Sequence, residues 1–328
     1  MAPQTNRLDL PLPGGRPVSD VRRSVLDAIG KTPVVPLLRL APTGGARVLV
    51  KLEYFNPTGS YKDRMALAMV EEAEARGALR PGMTVVEYTG GSTGSSLAFV
   101  CAAKGYRCRV VSSDAFAPEK LQTMRAFGAE LEIVPSEGRG ITADLIRRMI
   151  GRAKELAASA GTYWTDQFRN TDSITGYRKI GDELVAQVAD PIDVFCAGVG
   201  TAGMLMGVAR AIRASGRPTR IVALEPASSA VISTGVSGSH RIEGIGVGFV
   251  PPLLDRDLYD EARGVEEAQA RSCARRLARE EGIFAGTSSG LNISGALQLA
   301  TELGPGRTVA TVAVDTGLKY LAGDLFAI

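Results

Sequence analysis

A lysine, two glycine-rich turns bearing hydroxyls and a glutamine are the residues of this chain best suited to chemistry. Lys62 lies in the stretch Phe55-Asn56-Pro57-Thr58-Gly59-Ser60-Tyr61-Lys62-Asp63-Arg64. Pro57 and Gly59 mark a turn. Ser60, three residues before Asp63, approximates a capping box at a helix start. Lys62 then falls in the first helical turn, where the helix dipole disfavours a cation. A neutral amine is favoured there, and that is the form that makes a Schiff base. Taken alone, a lysine is a solvated surface residue. The rest of the chain argues for another reading.

Thr89-Gly90-Gly91-Ser92-Thr93-Gly94 follows an apolar run and opens a helical one. Backbone N–H groups and hydroxyls of such a turn converge on an anion at the helix N-terminus, and a carboxylate suits the size. Three glycines with three hydroxyls exceed what a tight turn needs. Gly198-Val199-Gly200-Thr201-Ala202-Gly203 repeats the arrangement and fits the dinucleotide fingerprint, with Glu225 near the place of its ribose acid. A nicotinamide-linked dehydrogenase is therefore a rival reading. Against it, the motif sits in mid-chain and leaves Lys62 and the first turn without roles. A phosphate monoester at this turn needs no acidic partner. A third turn, Gly286 to Gly290, reads as structural.

The elements that must position these residues alternate between strand and helix. After Val48 to Leu52 and a helical run from Arg64 to Arg76, the pattern predicts strand Met83 to Tyr88 and helix Thr93 to Lys104. Next come strand Arg107 to Ser112, helix Pro118 to Phe127, strand Glu130 to Val134 and helix Thr142 to Ala158. The second half reads as strand Asp193 to Ala197, helix Gly203 to Ala214 and strand Arg220 to Glu225. Helices Glu266 to Glu280 and Ser288 to Leu303 and strand Thr308 to Val314 close the series. Short apolar strands followed by longer helices predict an α/β fold of mainly parallel, twisted sheets covered by helices. A domain boundary is expected near Gly161 to Gln167. The expected division is a flexible tail over 1–20, a smaller N-terminal α/β domain over 46–166, and a larger C-terminal cofactor-phosphate domain from 21–45 and 167–328.

Composition excludes several functions. With 328 residues the chain can build about two cores. A net charge of +3, with no basic run carrying aromatics, argues against a nucleic-acid partner. No apolar stretch approaches the roughly 18 residues of a membrane span. The single histidine, His240, leaves no multi-histidine metal site, and no metal is expected. Cys101, Cys108, Cys196 and Cys273 lack metal-type spacing and read as reduced core thiols of a cytoplasmic protein.

In combination and order, these segments resemble the cysteine synthase and cystathionine β-synthase family, pyridoxal-phosphate enzymes of fold type II. The likeness runs from about Ile29 to Leu321. Asn56 to Arg64 is similar to the family's lysine-bearing segment, Thr89 to Gly94 to its substrate loop and Gly200 to Met204 to its phosphate loop. Gln167 matches the glutamine on the substrate carboxylate. Glu243 to Gly246 resembles the loop that faces the site, and Asp315-Thr316 falls where the family contacts the pyridine nitrogen. The resemblance implies pyridoxal 5'-phosphate on Lys62, the catalytic base. It implies cofactor contacts from Ser92, Gly200, Thr201, Ala202, Gly203, Met204 and Thr316, and substrate contacts from Thr89, Gly90, Ser92, Thr93, Gln167 and Gly244. Thr316 is expected on the pyridine nitrogen, with Asp315 turned away.

The implied reaction is β-replacement on a β-substituted L-amino acid through an aminoacrylate. The partners would be that amino acid, a thiol or amine nucleophile and a second copy of the chain. The alternatives are a β-elimination lyase, the dehydrogenase and an inactive regulator, which an intact Lys62 opposes. The chain departs from the family at Gly90 for serine, Ser92 for asparagine, Met204 for threonine and Lys31 for asparagine. Gly90 and Ser92 are expected to widen or re-polarise the substrate site and to disfavour O-acetylserine.

Overall fold

The computed structural model describes residues 21–138 and 142–327. The expected tail, residues 1–20, lies outside them. The elements in order are β1 (Val34–Pro36), β2 (Arg47–Leu52), α1 (Lys62–Ala75), β3 (Thr84–Tyr88), α2 (Ser92–Lys104) and β4 (Arg107–Ser113). Then follow α3 (Pro118–Ala126), β5 (Glu130–Val134), α4 (Ala143–Ala157), β6 (Thr162–Trp164), α5 (Asp172–Gln187) and β7 (Val194–Gly198). The chain continues with α6 (Gly203–Ala214), β8 (Arg220–Pro226), β9 (Glu261–Val265), α7 (Glu267–Arg276), α8 (Thr287–Leu303) and β10 (Thr308–Ala313). Two sheets result. One has the order β1-β2-β10-β7-β8-β9, the other β5-β4-β3-β6. Every pairing is parallel except the one between β1 and β2.

Side-chain alternation along the strands loads both faces of each sheet. On β7, Phe195 and Ala197 face a cluster with α5 and α6 residues such as Tyr177, Ile180 and Leu205. Val194 and Cys196 face the opposite side, with Leu291, Ala296 and Leu299 of α8. In the smaller sheet Val85 and Val110 pack with Leu97 and Met124 of α2 and α3. Val86, Tyr88 and Val111 pack with Leu145, Met149 and Leu156 of α4. These strands read as continuous apolar runs because both faces are covered.

The structure corrects the sequence reading in three places. Residues 46–166 were expected to form the smaller unit, yet β2 pairs with β10 from Arg47 to Leu52 and belongs to the six-stranded sheet. Its buried run needs a partner on each edge, and β10 supplies one. Helix α5 was not expected, although Ile174, Tyr177, Ile180 and Leu184 are spaced as one buried helical stripe. The short strands β6 and β9 also carried too little pattern to be read.

Candidate active site

The lysine segment is a small buried scaffold. Asn56 Nδ2 donates to Glu53 Oε2 at 2.9 Å, and its Oδ1 accepts from Gly30 N–H at 2.8 Å. Asp63 accepts from Thr58 N–H at 2.8 Å and from Thr58 Oγ1 at 2.6 Å. The capping-box expectation is thereby corrected: the Asp63 carboxylate reaches back to Thr58, and Ser60 Oγ accepts from Lys62 N–H at 3.2 Å. Arg64 donates to Glu53 at 2.7 and 2.8 Å and to Glu183 of α5 at 2.7 and 2.9 Å. Lys51 Nζ also reaches Glu183, at 2.6 Å. A buried charge needs such partners. The network ties β2, α1 and α5 together and fixes the loop that carries Lys62.

Lys62 is the first residue of α1 and is 7% exposed. Burial lowers its pKa from 10.5 to about 8, while the charges of Glu87 and Asp315 oppose that shift. Desolvation thus leads, where the sequence pointed to the helix dipole. The amine stands 5.1 Å from the Tyr61 ring centroid and 5.9 Å from that of Tyr177.

Tyr177 connects the lysine to the second glycine turn. A Cβ on Gly203 would lie 3.3 Å from Tyr177 Cδ2. Helix α6 starts at Gly203 with Ala202 as its N-cap, at a φ of 69° and with no side-chain cap bond. A non-glycine residue in that region is strained. The first N–H groups of the helix have no partner within it. Gly200 approaches Gly244 O so closely that a Cβ would collide with it. Gly200, Thr201, Ala202, Gly203 and Met204 therefore form an anion-ready backbone turn, with Gly244 packed on it.

Helix α2 begins the same way, after Gly91 and without a side-chain cap bond. Thr89 Oγ1 accepts from Gly91 N–H at 3.1 Å. Thr93 Oγ1 donates to Gln167 Oε1 at 2.8 Å, and Gln167 Nε2 donates to Tyr88 O at 3.3 Å. Gln167 N–H is held by Glu87 Oε2 at 3.0 Å. Ser92 Oγ accepts from Lys319 Nζ at 3.1 Å. Thr58 Oγ1 and Ser96 Oγ, 3.3 Å apart, join this helix to the lysine loop. Of the expectation that Gly90 and Ser92 widen or re-polarise the site, widening at Gly90 is corrected: the Phe116 ring fills the space a side chain there would occupy. The change makes the surface more apolar without opening it.

Asp315 and Thr316 follow β10. Asp315 is 4% exposed; its Oδ2 accepts from Tyr320 O–H at 3.0 Å, and its Oδ1 is buried with no hydrogen-bond partner among the described residues. Thr316 Oγ1 accepts from Leu318 N–H at 3.3 Å, capping its own 3-10 turn. Glu53, Glu87, Glu183, Phe116, Lys120 and Lys319 were missed. Glu53, Glu87 and Lys319 flank the lysine segment, the first glycine turn and the Asp315-Thr316 pair, and contacts distant in the chain place Glu183, Phe116 and Lys120.

A buried amine of lowered pKa, two uncapped glycine turns and an orphaned carboxylate oxygen fit pyridoxal phosphate. The profile of the pyridoxal-phosphate dependent enzymes matches residues 25–315. The chain belongs to that family. Within it the cysteine synthase group is also shown: the cysteine synthase of Staphylococcus aureus is 42% identical over 306 residues, 93% of this chain and 97% of the other. A crystal structure of O-ureido-L-serine synthase superposes with a TM-score of 0.86 at 40% identity, covering 93% of this chain and 95% of that one. The cysteine synthase of Entamoeba histolytica gives 0.88 at 32% identity, covering 97% and 95%. Among the described residues of this pyridoxal-phosphate enzyme, no helix is long and apolar enough to cross a membrane.

Proposed function

We propose that the chain catalyses β-replacement: a thiol or amine nucleophile takes the place of the Cβ leaving group of an O-acetylserine-, O-phosphoserine- or serine-type L-amino acid. The observation that carries this reading is Lys62, buried at a helix start with its pKa drawn down to about 8. The similarity to cysteine synthases along nearly the whole chain supports the same reaction type.

Lys62 is the attachment point. When bound, pyridoxal phosphate supplies the electron sink that acidifies the substrate α-proton. Gly200, Thr201, Ala202, Gly203 and Met204 hold the phosphate through backbone N–H groups. Thr89, Gly90, Ser92, Thr93 and Gln167 would contact the substrate, Ser92 would also contact the cofactor, and Gly244, packed on Gly200, would join the substrate contacts. The freed Lys62 amine takes the α-proton. Glu87 and Asp315 favour the ammonium that results, so Lys62 can hold the proton. Phe116 over Gly90 keeps that side of the substrate loop apolar.

We assign the chain to a homodimer in a reducing cytoplasm. Its four cysteines are free and buried, as such a compartment allows. Leu318, Leu321, Phe249 and Val250 are exposed apolar side chains that a second copy could cover. Sedimentation tests the dimer.

The experiment for the activity is an absorbance screen of the holoenzyme with O-acetylserine, O-phosphoserine, serine and cysteine. Products are identified with and without sulfide. A new amino acid formed only with the nucleophile is expected. Pyruvate and ammonia as sole products under every condition would replace this reading with β-elimination.

A further inference from the structure

We propose that Glu87 is a positioning residue of the site: its carboxylate forces the turn that presents Gln167 to the α-carboxylate of the substrate. The proposal rests on the amino-acid substrate reading above and deepens it. Glu87 is the next-to-last residue of β3 and is 0% exposed. From there the chain runs straight into the substrate loop, Thr89 to Gly94.

Four donors converge on this carboxylate. Oε1 accepts from Tyr88 N–H at 2.9 Å and from Trp164 Nε1–H at 3.4 Å. Oε2 accepts from Thr165 Oγ1 at 2.7 Å and from Gln167 N–H at 3.0 Å. The two main-chain groups and the indole can only donate, so the pocket fits the ionised form. The last two donors flank Asp166, which stands at a φ of 43°. Aspartate enters that region more readily than most residues, but still at a cost. Such a conformation persists where its surroundings over-determine it. Here a single oxygen of Glu87 holds the residues on both sides. Asn170 closes the turn as well: its Nδ2 donates to Thr165 O at 2.9 Å, and its N–H to Asp166 O at 2.9 Å.

The strained turn sets the direction of Gln167, which is 6% exposed. Its Oε1 accepts from Thr93 Oγ1 at 2.8 Å, and its Nε2 donates to Tyr88 O at 3.3 Å. The amide thus bridges the residue before the substrate loop to the first turn of α2. Glu87 grips the main chain at both ends of that bridge, at Tyr88 and at Gln167. Groups that meet a ligand hold their geometry only when a supporting layer locks them.

The same charge reaches the base. Burial lowers the Lys62 pKa to about 8, and Glu87, followed by Asp315, opposes that shift. The rings of Tyr61 and Tyr177 also face the amine. Burial raises the pKa of Glu87 itself to about 7, against the hydrogen bonds it accepts. One carboxylate therefore supports both the substrate's anionic end and the proton on Lys62.

The test compares L-serine with L-serinamide, which lacks the carboxylate, by the cofactor absorbance of the holoenzyme. The readout is the ratio of the two dissociation constants, and wild-type protein is expected to prefer serine. Glu87→Gln turns an NH2 group toward donors and should cut that preference about tenfold, the size of one hydrogen bond to a charged group. Thr165→Val, a milder change that spares the charge, should cut it about threefold. Adding Asp166→Gly to Glu87→Gln should recover part of it, because glycine adopts a positive φ freely. A second readout is the pH dependence of Lys62 labelling by an amine reagent in the full-length apoenzyme, followed by peptide mapping. Its midpoint should fall in Glu87→Gln, with or without Asp166→Gly, and stay in place in Thr165→Val. An intact serine preference in either folded single variant, or an equal loss of affinity for both amines, would overturn the proposal. A labelling midpoint unmoved by Glu87→Gln would overturn its electrostatic half. The reading beneath it fails separately: wild-type protein whose absorbance responds to neither amine, or that binds both equally, sinks the substrate reading and this proposal together.

Discussion

The ring of Phe116 occupies the space that any side chain on Gly90 would need. The pair is a lock between the substrate loop and the segment before α3. Gly90→Ser, which restores the family residue, is expected to destabilise the protein by about 1–3 kcal/mol through overpacking. It should also lower kcat/KM for the preferred amino acid. Adding Phe116→Ala should recover much of both. Thermal denaturation and steady-state kinetics on the single and double variants check this. A Gly90→Ser protein as stable and active as wild type would show that the ring yields freely.

Lys62 makes the apoenzyme's stability depend on pH. Its native pKa of about 8 lies below the ordinary value of 10.5. Between those values the unfolded chain binds more protons, so stability rises with pH across that window. Below it the full penalty stands, about 3 kcal/mol at about 1.4 kcal/mol per unit. Apo Lys62→Met is therefore expected to be more stable than the wild-type apoenzyme at neutral pH. The difference should shrink as pH climbs from about 8 toward 10.5. Urea denaturation at several pH values measures it, and a gap independent of pH would refute the cause given.

Arg64 answers Glu53, whose side chain is 0% exposed. Arg64→Ala would leave that carboxylate buried without its guanidinium. A loss of about 3–5 kcal/mol is expected, as for other broken buried pairs. Arg64→Lys should recover only part of it, since an ammonium cannot reproduce the forked contacts to Glu53 and Glu183. Chemical denaturation decides; a change under about 1 kcal/mol would mean the network contributes little.

Lys319 brings a cation to the substrate loop through Ser92 Oγ. Lys319→Met should raise KM for O-phosphoserine by about tenfold, the equivalent of about 1.4 kcal/mol for one charge-assisted contact. The effect on O-acetylserine should be smaller. Equal effects on the two donors would show that Lys319 orients the loop without touching the β-substituent.

Much of the frame was legible because it is written in local patterns. The alternating segment Glu130 to Val134 is a strand over those residues, and Gly203 to Ala214 a helix over those residues. The lysine at a helix start and the glycine turns at two others follow from residue types a few positions apart. Helix α5 falls outside the predicted elements, although its stripe of Ile174, Tyr177, Ile180 and Leu184 has helical spacing. It carries Glu183 and Tyr177, so the network behind Arg64 and the floor beneath Lys62 went unseen with it.

By itself, the sequence determined the α/β pattern, the family and the segments that meet at the site, since period, turn chemistry and motif order are properties of neighbours along the chain. Tertiary structure alone decided the rest. It placed β2 beside β10, put Phe116 against Gly90 and left Oδ1 of Asp315 without a partner among the described residues. It also made burial, ahead of the helix dipole, the cause of the lowered Lys62 pKa. Each of these turns on which atoms pack together across long chain separations, and on how much water that packing removes, and neither is encoded at any one position.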